Sequence, residues 1–181
     1  GFGGPIHIHA AEQTAEVDDC VAATGARPIE WLAREGLIDG RWQLVHATHT
    51  LPQEIAAVAR SGAGIVLCPT TEANLGDGIF PAAEFAGKTA IGSDSNVTIS
   101  VAEELRQLEY SQRLRDRSRN VLARGPNAST GRSLLDAALD GGAQALDQPQ
   151  DESVGREIGR KVVELVRDFP LFSWQPVVRR S

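Results

Sequence analysis

Along this chain, segments in which apolar residues recur at the spacing of a strand alternate with segments in which they recur at the spacing of a helix. Residues 6–9 switch between isoleucine and histidine, the period-two pattern of a β-strand. Short apolar runs near residues 44, 65 and 91 predict three further strands. Between the strands, apolar residues recur three and four positions apart, as in amphipathic helices. Strand and helix therefore follow one another in units of roughly thirty residues, which predicts an α/β fold with a parallel sheet.

Local turn and capping residues predict where some of these elements begin and end. Gly25 stands where a glycine commonly ends a helix. Thr50 and Gln53 resemble a capping box, with Pro52 in the first turn of the helix that follows. Residues 70–81 are rich in Asn, Gly, Asp and Pro, so we expect them to form a long loop. Long loops inside compact domains are often functional.

Ionisable residues stand at the ends of three of the four predicted strands. They are His9, His46 and Asp94, and Glu12 follows His9 by three positions. The carboxyl ends of parallel strands carry the active site in barrels and in doubly wound sheets. Imidazoles and carboxylates at one edge suit metal binding and protonation of a substrate. The alternative is that the histidines only make hydrogen bonds within the fold, but three strand ends together favour a site.

Composition and charge narrow the class of protein. The chain has 181 residues, enough for one domain with a sizeable core. Its net charge of −6 argues against a nucleic-acid partner, and no apolar run is long enough to predict a membrane span. Cys20 and Cys68 fit no disulfide or metal-binding spacing, so we expect buried thiols in a reducing compartment, the cytoplasm. A small molecule is the expected substrate.

Five segments resemble the amidohydrolase superfamily. His7–Gln13, Leu44–His49 and Ile91–Asn96 resemble strands five, six and eight of its barrel. Cys68–Pro81 and Glu103–Leu114 resemble, within that superfamily, the formimidoylglutamate deiminases. The run Thr-Glu-Ala-Asn-Leu-Gly-Asp-Gly in the fourth segment discriminates best between related deaminases.

The resemblance implies a fold, a reaction and a role for four residues. The fold would be the C-terminal half of a (β/α)₈ TIM-like barrel of metal-dependent hydrolases. The reaction would be hydrolysis of N-formimino-L-glutamate to N-formyl-L-glutamate and ammonia in histidine degradation, with Zn²⁺ or another divalent metal. His9 and Asp94 would bind the metal, and Asp94 would also accept a proton from the attacking water. Glu12 would transfer protons at the imine nitrogen, and His46 would polarise the substrate or assist the water.

The same resemblance predicts the domain organisation. Residues 1–147 would form strands five to eight of the barrel with their helices, and residues 148–181 a helical tail that does not match the family. The family's first-strand His-x-His would precede residue 1, so we expect weak or no activity from this chain alone. A homo-oligomer or a partner chain could supply the missing half. Two alternatives stay open: a related deaminase acting on a heterocyclic amine, and a non-catalytic half-barrel.

Overall fold

Four parallel strands form the centre of the part of the chain that the structure describes. The computed structural model describes residues 3–95, 98–125 and 128–148. Each strand pairs with the strand before it, in the order β1-β2-β3-β4, and the register aligns Ala10 with His46. The predicted parallel sheet and the positions of its strands are therefore confirmed. The strands are β1 (Ile6–Ala10), β2 (Trp42–His46), β3 (Gly64–Leu67) and β4 (Thr89–Ile91).

Within the described residues, six helices connect and follow these strands. Three of them end at a glycine in the left-handed conformation, as predicted for Gly25 and as found also at Gly62 and Gly76. Glycine adopts this conformation without a steric penalty. The helices are α1 (Thr14–Thr24), α2 (Pro28–Arg34), α3 (Pro52–Ser61), α4 (Pro69–Leu75), α5 (Val101–Asp116) and α6 (Thr130–Ala145).

Helix α4 lies where we predicted only a loop, so that part of the prediction is wrong. Pro69 occupies the first helical position, where its missing N–H needs no partner. The Glu72 carboxylate accepts a hydrogen bond from the backbone N–H of Cys68 at 2.8 Å. Gly76, which we read as a loop residue, ends this short helix instead.

The capping box predicted at the start of α3 is also wrong. The hydroxyl of Thr50 donates to the carbonyl of Ala47, which belongs to the preceding turn. Glu54 accepts the hydrogen bond from the backbone N–H of Leu51, at 2.7 Å. Pro52 does lie at the first position of the helix, as expected.

The two central strands, β2 and β3, are buried on both faces, which explains their nearly unbroken apolar runs, whereas β1 at the edge is partly exposed. Leu44, Ile65 and Leu67 belong to the larger core cluster, to which helices α1, α2, α3 and α5 contribute. The alternate residues of the strands pack in a second, smaller cluster with the end of α6. That cluster consists of Val45, Val66, Cys68, Ala90 and Ala145. The predicted burial is therefore confirmed for Cys68 and wrong for Cys20, which is only partly buried.

Helix α6 also holds the amino-terminal side of the sheet. A Cβ atom at Gly141 would overlap the carbonyl oxygen of Thr89, so only glycine fits at this contact. The side chain of Gln144 donates to the carbonyl oxygens of Gly40 and Gly62, which precede β2 and β3.

The predictions of a separate tail and of no membrane span concern the chain as a whole. The tail expected at 148–181 lies, apart from Gln148, outside the described residues, so the domain division stays a prediction. Among the helices that the structure describes, none combines the length and hydropathy needed to cross a bilayer.

Candidate active site

His46, the last residue of β2, is the centre of a polar cluster at the carboxyl edge of the sheet. Its side chain is fully buried. The Nε2 atom lies 3.5 Å from Glu12 Oε1 and 3.7 Å from Asp94 Oδ2. The ring of His9 lies beside it, with 5.2 Å between the ring centroids. The fold thus brings together all four residues that the sequence analysis singled out, although their roles stay predictions.

The backbone is strained where the chain leaves the strands at this edge. Ala11, His46, Ala47 and Asp94 all have positive φ angles, between 49° and 67°. Residues with a Cβ atom rarely adopt this conformation, because it crowds the following carbonyl oxygen. Strained backbone of this kind tends to persist at functional sites, where the surrounding structure enforces it.

Glu72 is a fifth member of the cluster, and the sequence analysis gave it no role. Its Oε1 atom lies 3.3 Å from Nδ1 of His46, and the residue is 6% exposed. The same oxygen accepts the hydrogen bond from Cys68 N–H. Glu72 lies in the run that best discriminates the family. The direction of its side chain depends on α4, which the local sequence pattern does not predict.

The charge around His46 is strongly negative. Burial by itself would lower the pKa of His46, but the hydrogen bond to Glu72 and the charges of Glu12, Glu72 and Asp94 outweigh burial and raise the pKa. The buried Nε2 atom has no hydrogen-bond partner within the described residues. A buried polar atom without a partner is costly, so this atom is well placed to meet a ligand.

The cluster also offers donors for a metal ion. One ligand atom from each of His46, Cys68 and Asp94 lies within 4.8 Å of the others. Imidazole, thiolate and carboxylate are all ligands that zinc accepts, and the unpartnered Nε2 atom of His46 fits such a role. The donor set shares Asp94 with the pair predicted from the sequence, and His9 lies next to it.

The thiol of Cys68 is better explained as part of the core than as a ligand. Burial, together with the charges of Glu72, Asp94 and Glu104, raises the pKa of Cys68 to about 12. The side chain packs in the smaller apolar cluster with Val66. A metal binds the thiolate, and this environment opposes deprotonation. We therefore retain His9 and Asp94 as the proposed ligand pair.

A parallel α/β sheet with histidines and carboxylates gathered at its carboxyl edge defines a class of enzyme folds that place their chemistry there. The sequence profile of the amidohydrolase family matches residues 2–130. Because this match covers well over half of the chain, the protein belongs to the amidohydrolase family.

Three known proteins show how far the similarity reaches. The formimidoylglutamate deiminase of Pseudomonas aeruginosa is 58% identical over 167 residues, which cover 91% of this chain and 36% of that protein. The crystal structure of an amidohydrolase from Brucella melitensis is 56% identical, with a TM-score of 0.79 over 82% of this chain and 34% of the other. An adenosine deaminase from Xanthomonas campestris with bound zinc is 32% identical, with a TM-score of 0.70 over 79% and 32% of the two chains.

These comparisons confirm the predicted fold class and the predicted resemblance. The chain spans about a third of the length of the relatives that it matches.

Proposed function

We propose that this chain carries part of the active site of a hydrolytic deaminase that converts N-formimino-L-glutamate to N-formyl-L-glutamate and ammonia. The observation that carries the proposal is the position of His46 Nε2 between Glu12 and Asp94. The 58% identity to a formimidoylglutamate deiminase supports this choice of substrate.

The residues at the carboxyl edge suit the proton transfers of this reaction. Water adds to the carbon of the substrate's C=N bond, and Asp94 accepts the proton that the water loses. Glu12 gives a proton to the imine nitrogen, which becomes an amine in the tetrahedral intermediate. The amine then takes the proton held by Asp94 while the added hydroxyl group gives its remaining proton back to Glu12, so that the C–N bond breaks with release of neutral ammonia. His46 faces both carboxylates and can hydrogen-bond the reacting group between them.

A divalent cation, zinc in our proposal, would be held by His9 and Asp94. When bound, such a cation acts as a Lewis acid that makes water a nucleophile near neutral pH. The negative charge around His46 and the unpartnered Nε2 atom support a cation at this place. The adenosine deaminase with bound zinc supports the choice of metal.

We further place the reaction in histidine degradation and in the cytoplasm. The substrate assigned above implies the pathway. Cys20 and Cys68 are both free, which suits a reducing compartment.

A second candidate function is deamination of a heterocyclic amine. The observation that favours it is the 32% identity and similar fold of an adenosine deaminase. The higher identity to the formimidoylglutamate deiminase makes it the weaker of the two. The third alternative, a non-catalytic half-barrel, predicts that neither substrate is turned over in the same test.

A chimera tests the choice between these functions. This chain replaces the aligned segment of the Pseudomonas aeruginosa enzyme, and ammonia release is measured with N-formimino-L-glutamate and with adenosine, with added zinc. The 181-residue chain alone is assayed beside it. We expect the chimera to release ammonia from N-formimino-L-glutamate only. Turnover of adenosine alone would support the second candidate, and a folded but inactive chimera would contradict both enzymatic functions.

A further inference from the structure

We propose that Glu72 is a positioning residue that fixes the tautomer of His46. The carboxylate accepts a hydrogen bond from Nδ1–H of the ring, which in the neutral imidazole leaves Nε2 without a proton and directed at Glu12 and Asp94. Two observations carry the proposal. Nδ1 of His46 lies 3.3 Å from Oε1 of Glu72, and Nε2 has no hydrogen-bond partner among the described residues.

The direction of this hydrogen bond follows from the other bond that Glu72 makes. Oε1 already accepts from the backbone N–H of Cys68 at 2.8 Å, so this oxygen acts as an acceptor. An ionised carboxylate has no proton to donate. The proton between Glu72 and His46 therefore belongs to Nδ1, and in a neutral imidazole the other nitrogen then carries a lone pair.

Glu72 is itself held firmly enough to impose this arrangement. Its side chain is 7% exposed. It lies in the first turn of α4, and its bond to Cys68 N–H ties it to the residue that precedes the helix. His46 is fully buried and has a left-handed backbone conformation, so its ring has little freedom to turn away.

The unprotonated Nε2 atom is the one that the chemistry requires. With a lone pair it can accept a hydrogen bond from water or from a substrate N–H, or it can coordinate a cation. A proton on Nε2 would remove this capacity. The catalytic consequence rests on the proposed deaminase function, whereas the tautomer itself does not.

Nuclear magnetic resonance of the imidazole nitrogens tests the tautomer directly. The ¹⁵N-labelled 181-residue chain is studied without metal, at an alkaline pH where the ring is neutral, and the signals of His46 are assigned by His46→Gln. We expect Nδ1 to carry the proton. In Glu72→Leu the proton should move wholly or partly to Nε2, whereas Glu72→Gln, which keeps an acceptor oxygen, should retain the original tautomer.

Glu104 provides the matched control, because it is an equally buried carboxylate that does not contact His46. It is 1% exposed and accepts a hydrogen bond from Thr70 N–H at 2.9 Å. Glu104→Leu should leave the tautomer unchanged even if it lowers stability. A proton on Nε2 in the unmodified chain, or the same tautomer in Glu72→Leu, would overturn the proposal.

Activity adds a second measurement that separates this inference from the proposed function. In the chimera, Glu72→Leu should lower kcat about 10–100-fold with little change in KM, and Glu72→Gln should restore most of the loss. A fall in kcat without a change of tautomer would reduce Glu72 to a structural role. If the chimera is inactive, the proposed function fails, but the tautomer measurement still decides the inference.

Discussion

The two ends of the same sheet are built in opposite ways. At the carboxyl edge, three carboxylates surround one buried histidine whose Nε2 atom has no hydrogen-bond partner within the described residues. At the amino-terminal side, Gly141 lies directly against the backbone of Thr89, and the amide of Gln144 is satisfied by two carbonyl oxygens.

This difference separates function from stability. Crowded like charges and an unpartnered polar atom cost free energy, and such costs tend to be found at functional sites. Close packing and satisfied hydrogen bonds stabilise the fold without offering a site. In barrels of this type, the carboxyl ends of the strands carry the chemistry and the opposite ends support the structure.

The largest effect should come from removing a carboxylate at the carboxyl edge. Glu12→Gln in the chimera should lower kcat by about 10²–10⁴-fold, the usual contribution of a general acid–base group. At an alkaline pH, where His46 is neutral and Glu12 has no cation to stabilise, the melting temperature of the 181-residue chain should stay the same or rise, because one of the converging negative charges is gone. The exposed Glu35 serves as control, since Glu35→Gln should change neither quantity. A clear loss of stability in Glu12→Gln would contradict the comparison.

The next effect should appear at the amino-terminal side, as a loss of stability without a loss of chemistry. Gly141→Ala forces a Cβ atom into the carbonyl of Thr89 and should destabilise the chain by about 1–3 kcal/mol. A Cβ atom at the neighbouring Gly142 would have no atom within 4 Å, so Gly142→Ala should raise stability by about 0.5–1 kcal/mol. Urea unfolding of both variants measures the difference. Equal effects of the two substitutions would show that α6 does not pack tightly on β4.

A smaller effect is expected at Gln144. Gln144→Ala removes the hydrogen bonds to Gly40 and Gly62 and should cost about 0.5–1.5 kcal/mol for each bond that is lost. The side-chain amide of Gln148 donates to the carbonyl of Leu146, two residues away, and its backbone N–H bond to Ala143 survives substitution, so Gln148→Ala should leave the unfolding midpoint unchanged. Activity of the chimera should be unaffected in both variants, and a drop in kcat for Gln144→Ala would break the separation between the two ends.

The smallest effect should be that of Cys68 on metal binding. If this thiol belongs to the core, Cys68→Ala should cost about 1 kcal/mol of stability for one buried atom and leave zinc affinity nearly unchanged. His9→Ala should weaken zinc binding at least about tenfold. Calorimetric titration of the chimera with zinc compares the two variants. If Cys68→Ala weakened zinc binding more than His9→Ala did, Cys68 rather than His9 would be the metal ligand.

The comparison also shows which features the sequence could reveal. The strands and the residues at their ends follow from hydrophobic period and spacing, which are local properties. His9, His46 and Asp94 could therefore be placed at one edge before the fold was known. Their nearness needs only the rule that parallel strands end at the same side of a sheet.

Other features depend on contacts that local patterns do not encode. The role of Glu72 requires α4, whose short length gives no hydrophobic period and whose Gly76 also fits a turn. The need for glycine at position 141 arises from an approach to Thr89, far away along the chain. The sequence does contain two signals for α4, a proline at its first position and Gly76 just after its last. The loop-like composition of residues 70–81 hides these signals.

One measurement tests the central claim most directly: ammonia release from N-formimino-L-glutamate by the chimera and by its Asp94→Asn variant, with the melting temperature of each protein recorded in parallel. If the carboxyl edge of this chain carries the reaction, the chimera turns over the substrate and Asp94→Asn lowers kcat by at least about 10²-fold without unfolding the protein. Equal turnover by a folded Asp94→Asn variant would contradict the claim that this cluster is the active site.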